Sequence, residues 1–241
     1  MVGAQPAILK TSRLGYDGKG QVAVGSADEL GAAFDTLGGV TTILEQRVQL
    51  AVELSVMVAR GADGAVATWP VGENVHRDGI LHTTVVPARI DASLAHAARA
   101  TAVRVAEALD YVGVLGVECF VTTEGQLLVN EMAPRPHNSG HWTLDASVTS
   151  QFEQQVRAMA GLPLGDTQAV SAAAMVNILG DCWANGEPAF ERALAMPGVR
   201  LHLYGKREAR PGRKMGHLTA LADSSGAALG LALAAWRSLP R

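Results

Sequence analysis

Residues 114–132 read VLGVECFVTTEGQLLVNEM, which is the clearest hairpin pattern in the chain. Two apolar runs flank a polar turn, and Glu124 and Gly125 fit the two central positions of a two-residue hairpin turn. That turn places Glu118 directly opposite Glu131 on the neighbouring strand. We therefore predict that these two carboxylates lie on one face of a β-hairpin.

Two facing carboxylates repel each other unless a positive charge lies between them. The strand neighbours of both glutamates are mostly apolar, so an unpaired charge there would also be costly to desolvate. Mg²⁺ typically takes one or two carboxylates and fills its octahedron with water and substrate phosphates. The pattern predicts a metal site at Glu118 and Glu131, with Asn130 as a further oxygen ligand. In a register shifted by one residue, one glutamate would instead point to solvent.

The composition is typical of a folded protein with helices and strands. The chain has 241 residues, which is enough for one large domain or two small ones that fold without disulfides. Its net charge is −3, and the positively and negatively charged residues are interspersed along the sequence. That charge argues against a nucleic-acid or anionic-membrane partner. No secretory signal follows Met1, and the run GAALGLALAAW is too short to cross a bilayer. Cys119 and Cys182 lie in apolar runs and read as buried thiols, so we expect a cytoplasmic protein.

Upstream of the hairpin, the patterns predict a small α+β unit. Its predicted elements are the strands PAILKTS, QVAVGS and TTILEQRV, the helix SADELGAAFDTLGG, and the hairpin LSVMVAR–GADG–AVATWPV. Residues 73–87 are predicted to cross to the next unit, whose first helix is SLAHAARATAVRVAEALDY. A helix is predicted at about 147–160. The last 75 or so residues alternate strand, helix, strand, strand and helix.

The stretch RLGYDGKGQ, residues 13–21, lies between two predicted strands. It matches neither the nucleotide P-loop nor the GxGxxG turn. Its backbone N–H groups are suited to an anion, with Lys19 at the tip of the loop. Lys10, inside the preceding strand, needs an anionic partner. An ordinary hairpin turn would explain the same glycines.

The segment APRPHNSGHWT, residues 133–143, is the densest polar cluster. Its two prolines exclude a helix, so His137 and His141 do not form the helical pair of a zincin. No GxSxG elbow surrounds Ser139. Donors of this kind on a loop beside a metal site suit an anionic substrate.

A second basic cluster is YGKREARPGRKMGH, residues 204–217. The pair Pro211 and Gly212 predicts a turn, which would direct Arg213 and Lys214 towards one phosphate monoester. A solvated charged turn is the alternative.

These motifs occur in one order along the chain: LKTSRLGYDGKGQ, EQRVQLAVELSVMVAR, NVHRDGIL, VLGVECF, NEMAPRPHNSGHWT and LYGKREARPGRKMGH. In that order the sequence resembles the 5-(carboxyamino)imidazole ribonucleotide synthases, a family of the ATP-grasp superfamily. The resemblance covers essentially the whole chain. The combination of NSGHWT with RPGRKMGH is its most specific part.

The resemblance implies an α+β, ATP-grasp fold with a lid at 1–77, a larger ATP-binding subdomain with the metal site at 78–165, and a small C-terminal subdomain at 166–241. It implies carboxylation of 5-aminoimidazole ribonucleotide by ATP and bicarbonate, through carboxyphosphate, in de novo purine biosynthesis. Mg²⁺ or Mn²⁺ would be the cofactor and ATP the co-substrate. The family also tends to form homodimers.

The resemblance also implies roles for individual residues. Lys10 and the glycine loop would contact the phosphates of ATP, residues 45–48 would hold adenine through their backbone, and Glu53 would bind the ribose. The implied ATP-binding residues are Lys10, Gly15, Tyr16, Asp17, Gly18, Lys19, Gly20, Gln21, Glu45, Gln46, Arg47, Val48, Glu53, His76, Asn130 and Glu131. The implied metal ligands are Glu118 and Glu131. The implied substrate-binding residues are Arg135, His137, Asn138, Ser139, Lys206, Arg213 and Lys214. Lys10 and Arg135 are the implied catalytic residues.

The sequence departs from the family in one respect. Members carry a Rossmann-like domain ahead of the lid that helps to form the ribonucleotide site, whereas this chain begins at the lid. Two alternative functions therefore stay open at the level of sequence. One is a nucleotide-binding remnant without turnover, and the other is a different ATP-grasp ligase of the purine pathway, including its formyl-transferring relatives.

Overall fold

A computed structural model describes residues 6–15 and 19–239 of the chain. The chain forms two compact units, Met1–Leu50 with His76–Ile80, and Ala51–Val75 with Leu81–Arg241. The predicted lid boundary at residue 77 differs from this division. Residues 51–75 belong to the larger unit because they contribute strands to its sheet.

The smaller unit is built on a three-stranded antiparallel sheet in the order β2-β1-β3. Its strands are β1 (Ala7–Thr11), β2 (Gln21–Val24) and β3 (Thr42–Gln46), and its helix is α1 (Leu30–Thr36), which follows a 3-10 turn at Ala27–Glu29. Leu9, Val24 and Ala33 form its core. The predicted strands on either side of the glycine loop are thus confirmed, while Tyr16, Asp17 and Gly18 lie outside the described residues.

The larger sheet has nine strands in the order β11-β12-β10-β7-β6-β4-β8-β9, with β5 paired to β4. These strands are β4 (Leu50–Arg60), β5 (Val66–Thr68), β6 (Gly72–Arg77), β7 (Ile80–Val86), β8 (Gly113–Thr122), β9 (Leu127–Ala133), β10 (Ala172–Leu179), β11 (Val199–Leu203) and β12 (Lys214–Ala222). Because β8 lies beside β4 and β10 beside β7, the sequence-distant parts of the unit share one sheet.

Alanines on one face of two helices allow close packing on this sheet. In α2 (Ala92–Ala108), Ala98, Ala102 and Ala106 recur every four residues and are buried in one apolar cluster with strand residues. A similar helical spacing occurs in α6 (Ser225–Arg237), where Ala228, Ala232 and Ala235, four and three residues apart, join another cluster. None of the helices within the described residues is both long and apolar enough to cross a membrane.

Three shorter helices complete the larger unit: α3 (Thr143–Ala146), α4 (Gln151–Met159) and α5 (Phe190–Leu194). The helix predicted from residue 147 was placed too early. The Ser150 hydroxyl caps α4 by accepting a hydrogen bond from the Glu153 amide, so the helix begins at Gln151.

Residues 73–87 were predicted only as a crossing segment, but they form the β6 and β7 strands. Asp78 and Gly79 make the two-residue turn between them, and both have positive φ (51° and 75°). An Asp-Gly pair with positive φ at both positions is typical of a type I′ hairpin turn.

Candidate active site

The predicted pairing of Glu118 with Glu131 is confirmed, although the hairpin is built differently from the prediction. Its loop has three residues, with Thr122 N–H donating to Gln126 O and Gly125 at φ 81°. Near the loop the register is therefore one residue away from that of a two-residue turn, with Cys119 opposite Val129. An irregularity between Glu118 and Cys119 restores the predicted register, so Asn130 is the extra residue of a β-bulge.

His137 completes a three-residue group with the two glutamates. Its Nε2 lies 3.1 Å from Oε1 of Glu118, and one ligand atom from each of Glu118, Glu131 and His137 lies within 4.8 Å of the others. The Glu118 and His137 side chains are only 13% and 12% exposed, whereas Glu131 is exposed. A cation at this point would therefore have one buried and one solvated carboxylate.

The hydrogen bonds of His137 define its tautomer. Ser139 N–H donates to Nδ1 at 3.3 Å, and the Ser139 hydroxyl lies 2.8 Å from the same nitrogen. Nδ1 is therefore an acceptor, and Nε2 carries the proton that is donated to Glu118. The imidazole orients the carboxylate in the way that a residue behind a metal ligand does.

Gln151 fixes the backbone of the 137–141 loop, and its side chain is fully buried. Its Oε1 accepts from His137 N–H at 2.9 Å, and its Nε2 donates to His137 O at 2.8 Å and lies 3.0 Å from His141 Nδ1. Two glycines make room for this arrangement. A Cβ on Gly140 would lie 2.5 Å from Gln151 Oε1, and one on Gly116 would lie 2.7 Å from the His137 Cβ.

A reciprocal amide pair attaches the next residue of the loop to the central sheet. Asn138 and Asn177 each donate to the other, at 3.0 and 2.7 Å, and the Asn177 amide also donates to Leu81 O at 2.8 Å. Asn177 is 1% exposed, so these bonds satisfy a polar group inside the sheet. Ser139 is also buried, whereas Arg135 is exposed and donates to Pro136 O.

Two basic side chains of the segment 206–214 donate hydrogen bonds to backbone carbonyl groups of the same segment. Lys206 Nζ donates to Lys214 O at 2.7 Å, and Arg213 Nη1 donates to Glu208 O at 3.0 Å. The Gly212 amide donates to Asp181 at 2.8 Å, which fixes the predicted turn. Lys206 and Arg213 thus lie on one loop, and Lys214 is the first residue of the β12 strand that follows it.

In the smaller unit, Lys10 has an anionic partner, as the sequence predicted. Its Nζ lies 2.5 Å from Oε2 of Glu45, on the neighbouring β3 strand. Gly20 has a φ of 76°, and a Cβ there would lie 2.6 Å from the Thr11 hydroxyl. The Arg47 amide already donates to Pro6 O, so this backbone group of the proposed adenine-binding stretch is engaged within the unit.

The predicted site residues divide between the two units. Glu118, Asn130, Glu131, Arg135, His137, Asn138, Ser139, Lys206, Arg213, Lys214 and Glu53 belong to the larger unit. Lys10, Gly15, Lys19, Gly20, Gln21, Glu45, Gln46, Arg47, Val48 and His76 belong to the smaller one. Glu53 pairs with Asn74 between β4 and β6.

Sequence reasoning missed a histidine cluster, which consists of His141, His202 and His217 with Asp145 and Tyr204. His202 Nε2 lies 2.9 Å from Asp145 Oδ2, and its ring is stacked on that of His217 at 4.7 Å between centroids. The Tyr204 hydroxyl lies 3.0 Å from His217 Nδ1. Burial lowers the pKa of His217 to about 2 and that of His141 to about 4, so both rings are neutral at pH 7.

The family to which the chain belongs follows from comparison with known proteins. A family model of the ATP-grasp domain matches residues 3–152, and one of the phosphoribosylaminoimidazole carboxylase C-terminal domain matches residues 173–230. The first match covers more than half of the chain, which therefore belongs to the ATP-grasp family. The predicted fold class is confirmed.

Individual relatives carry more specific names. N5-carboxyaminoimidazole ribonucleotide synthase of Brucella melitensis is 53% identical over 214 residues, which cover 88% of this chain and 58% of the relative. The Bacillus subtilis protein of the same name is 48% identical over 89% of this chain and 56% of its own length. The chain thus spans less than two thirds of the curated relatives that it matches.

A solved structure adds information on ligands. The N5-carboxyaminoimidazole synthase from Aspergillus clavatus, crystallised with ADP and 5-aminoimidazole ribonucleotide, matches with a TM-score of 0.86 at 31% identity. The match covers 95% of this chain and 61% of that one. ADP and 5-aminoimidazole ribonucleotide are thus ligands of the Aspergillus protein.

Proposed function

We propose that this chain binds Mg-ATP and contributes to the carboxylation of 5-aminoimidazole ribonucleotide by bicarbonate. The observation that carries the proposal is the paired Glu118 and Glu131, with His137 behind Glu118, in a chain of the ATP-grasp family. The names of the relatives and the ligands of the Aspergillus structure support the choice of substrate.

The donor set at the hairpin fits a hard divalent cation. Glu118 and Glu131 offer carboxylate oxygens from directly opposed positions, and the bulge residue Asn130 precedes Glu131. Magnesium held by these residues would neutralise charge on the transferred phosphoryl group. The N–H of His137 donates to Oε1 of Glu118 and so orients the carboxylate that would hold the metal.

With the exception of Glu53, which belongs to the larger unit, the smaller unit supplies the remaining ATP-binding residues in this proposal. Lys10 carries a positive charge for the phosphates, and its ammonium group lies beside the Glu45 carboxylate. The loop residues Gly15, Lys19 and Gly20 would offer backbone N–H groups to phosphate oxygens, with Gln21 beside them at the start of β2. Residues 45–48 face adenine, and Glu53 and His76 contact the nucleoside.

The proposed reaction has two steps. A bicarbonate oxygen attacks the γ-phosphorus of ATP, the bond from that phosphorus to the β,γ-bridging oxygen breaks, and ADP leaves. The exocyclic amine of the ribonucleotide then attacks the carbon of carboxyphosphate, the C–O bond to phosphate breaks, and the nitrogen loses a proton. Arg135 is exposed and suited to holding the anionic intermediate, and the hydrogen-bonded residues 137–139 fix the loop beside it.

The ribonucleotide phosphate is assigned to the basic loop. Lys206, Arg213 and Lys214 contribute three positive charges within it. Lys206 donates to Lys214 O and Arg213 donates to Glu208 O, so both cationic side chains are held close to the loop. These charges are sufficient to bind a phosphate dianion.

The test is ADP release by the purified chain with Mg-ATP, bicarbonate and the ribonucleotide, each omitted in turn. We expect release only when all three are present, with loss of activity in Glu131→Gln. Glu124→Gln, at the exposed tip of the same hairpin, is the matched control and should retain activity. Binding of Mg-ATP without ADP release would instead identify a nucleotide-binding piece that needs a further domain. Release that depends on formate would favour a different ligase.

A further inference from the structure

A second group of potential metal ligands shares no residue with the glutamate hairpin. It consists of Asp145 on α3, His202 on β11 and His217 on β12. One ligand atom from each residue lies within 4.8 Å of the other two. Asp145 lies in the ATP-grasp range of the chain, whereas the two histidines lie in the C-terminal range.

Two of these ligands are already at a suitable separation. His202 Nε2 and Asp145 Oδ2 are 2.9 Å apart. Two ligands of a tetrahedral zinc ion, with bonds of about 2.0 Å, are separated by about 3.3 Å. A metal ion that binds between them would displace the bridging proton to solvent, and only a small movement of either side chain is needed to widen the gap.

The third residue has a free nitrogen in a buried position. His217 is 1% exposed, and within the described part of the chain its Nε2 has no hydrogen-bond partner. Its Nδ1 lies 3.0 Å from the Tyr204 hydroxyl, so an Nδ1–H that donates to Tyr204 leaves the Nε2 lone pair unused. A hydrogen bond on one ring nitrogen is what orients a metal-binding imidazole through the other.

We propose that Asp145, His202 and His217 bind one transition-metal ion of the zinc class. Two imidazoles and one carboxylate are a common zinc ligand set, which leaves a fourth position for water. The two rings are nearly parallel, at 14°, so one of them turns about χ2 to direct both nitrogens at the ion. The ion would link α3 to β11 and β12.

The test uses the full chain without a polyhistidine tag, treated with a chelator and then titrated with zinc. We expect one equivalent to be retained through gel filtration, measured by elemental analysis, together with a higher Tm. Cobalt should give the strong visible absorption of a tetrahedral site. His202→Gln and Asp145→Asn should each abolish retention, whereas the exposed controls His96→Ala and Asp223→Asn should not.

His202 and Asp145 are chosen because they are less buried than His217, and circular dichroism verifies that both variants fold. Glu131→Gln distinguishes this site from the hairpin, and zinc should still bind in that variant. The proposal is wrong if the chelator-treated wild-type chain retains no zinc. It is also wrong if zinc is lost in Glu131→Gln but retained in His202→Gln and Asp145→Asn.

Discussion

The Nε2 of His137 lies 3.1 Å from Oε1 of Glu118, and this contact joins the 137–141 loop to the hairpin. Because Ser139 N–H donates to Nδ1, the ring presents a proton rather than a lone pair to the carboxylate. His137 therefore positions a proposed metal ligand.

His137→Ala should weaken Mg-ATP binding, because Glu118 then loses the hydrogen bond that orients it. Loss of such a partner typically lowers metal affinity by about 10- to 100-fold. Calorimetric titration with Mg-ATP measures the change. His96→Ala, an exposed histidine on α2, is the control. Equal affinities in wild type and His137→Ala would contradict the role assigned to this contact.

Lys10→Met should separate ligand binding from stability. The Lys10 and Glu45 side chains are 27% and 45% exposed, so their ion pair contributes less than about 1 kcal/mol after solvent screening. The affinity for Mg-ATP should nevertheless fall at least about tenfold, since a phosphate-facing charge is removed.

Glu45→Gln breaks the same ion pair but keeps the lysine. Its affinity for Mg-ATP should stay within about twofold of wild type, equivalent to about 0.4 kcal/mol. Equal losses of affinity in Lys10→Met and Glu45→Gln would show that the ion pair, rather than the lysine charge, is what binding requires.

Gly140→Ala should destabilise the larger unit. The new Cβ would lie 2.5 Å from Gln151 Oε1 and 2.8 Å from Met57 Cγ, and overpacking of this kind costs about 1–3 kcal/mol. Gly230→Ala, on the exposed face of α6 where nothing lies within 4 Å of the new Cβ, should add about 0.5–1 kcal/mol. Denaturant unfolding of both variants gives the comparison, and equal free energies of unfolding would contradict the packing described around Gln151.

Stability should fall as the pH is lowered from about 6.5 towards 4 in the metal-free chain. Burial holds the pKa of His141 at about 4 and that of His217 at about 2, while both titrate near 6.5 when unfolded. In that window the unfolded chain binds more protons, so the loss is up to about 1.4 kcal/mol per pH unit for each histidine.

The charged and titratable groups around these two histidines are His202, Lys214, Arg135 and Asp145. Urea unfolding at pH 7, 6 and 5 with a chelator present measures the slope. His141→Gln should reduce it, and His96→Ala should leave it unchanged. A slope that is the same in wild type and His141→Gln would contradict the burial of this ring.

The sequence pattern of the hairpin predicted the pairing of Glu118 with Glu131 correctly, although it predicted the wrong turn. The apolar runs and the Glu124-Gly125 turn were sufficient to predict two strands and the facing glutamates. The sequence did not reveal that the loop has three residues and that Asn130 forms a bulge, and these two departures compensate. A bulge depends on how the strand packs within the whole sheet, which local pattern does not encode.

Other features had a signal in the sequence that was not used. The Asp78-Gly79 pair between two β-rich runs is a direct hairpin signal. Asn177 and His217 are polar residues inside apolar strand runs, which predicts that each needs a buried partner. The identity of those partners could not be read, because Asn138 lies 39 residues from Asn177 and tertiary packing alone brings them together.

The central claim is that ATP activates bicarbonate as carboxyphosphate for transfer to the ribonucleotide amine, and oxygen-labelled bicarbonate tests it most directly. In the proposed reaction the oxygen that attacks phosphorus remains on phosphate when the amine displaces it from carbon. Mass spectrometry of the phosphate formed by the complete reaction from bicarbonate labelled with ¹⁸O at all three oxygens should therefore show one ¹⁸O atom. Phosphate formed together with ADP but without ¹⁸O would contradict the account, because water rather than bicarbonate would then have attacked ATP.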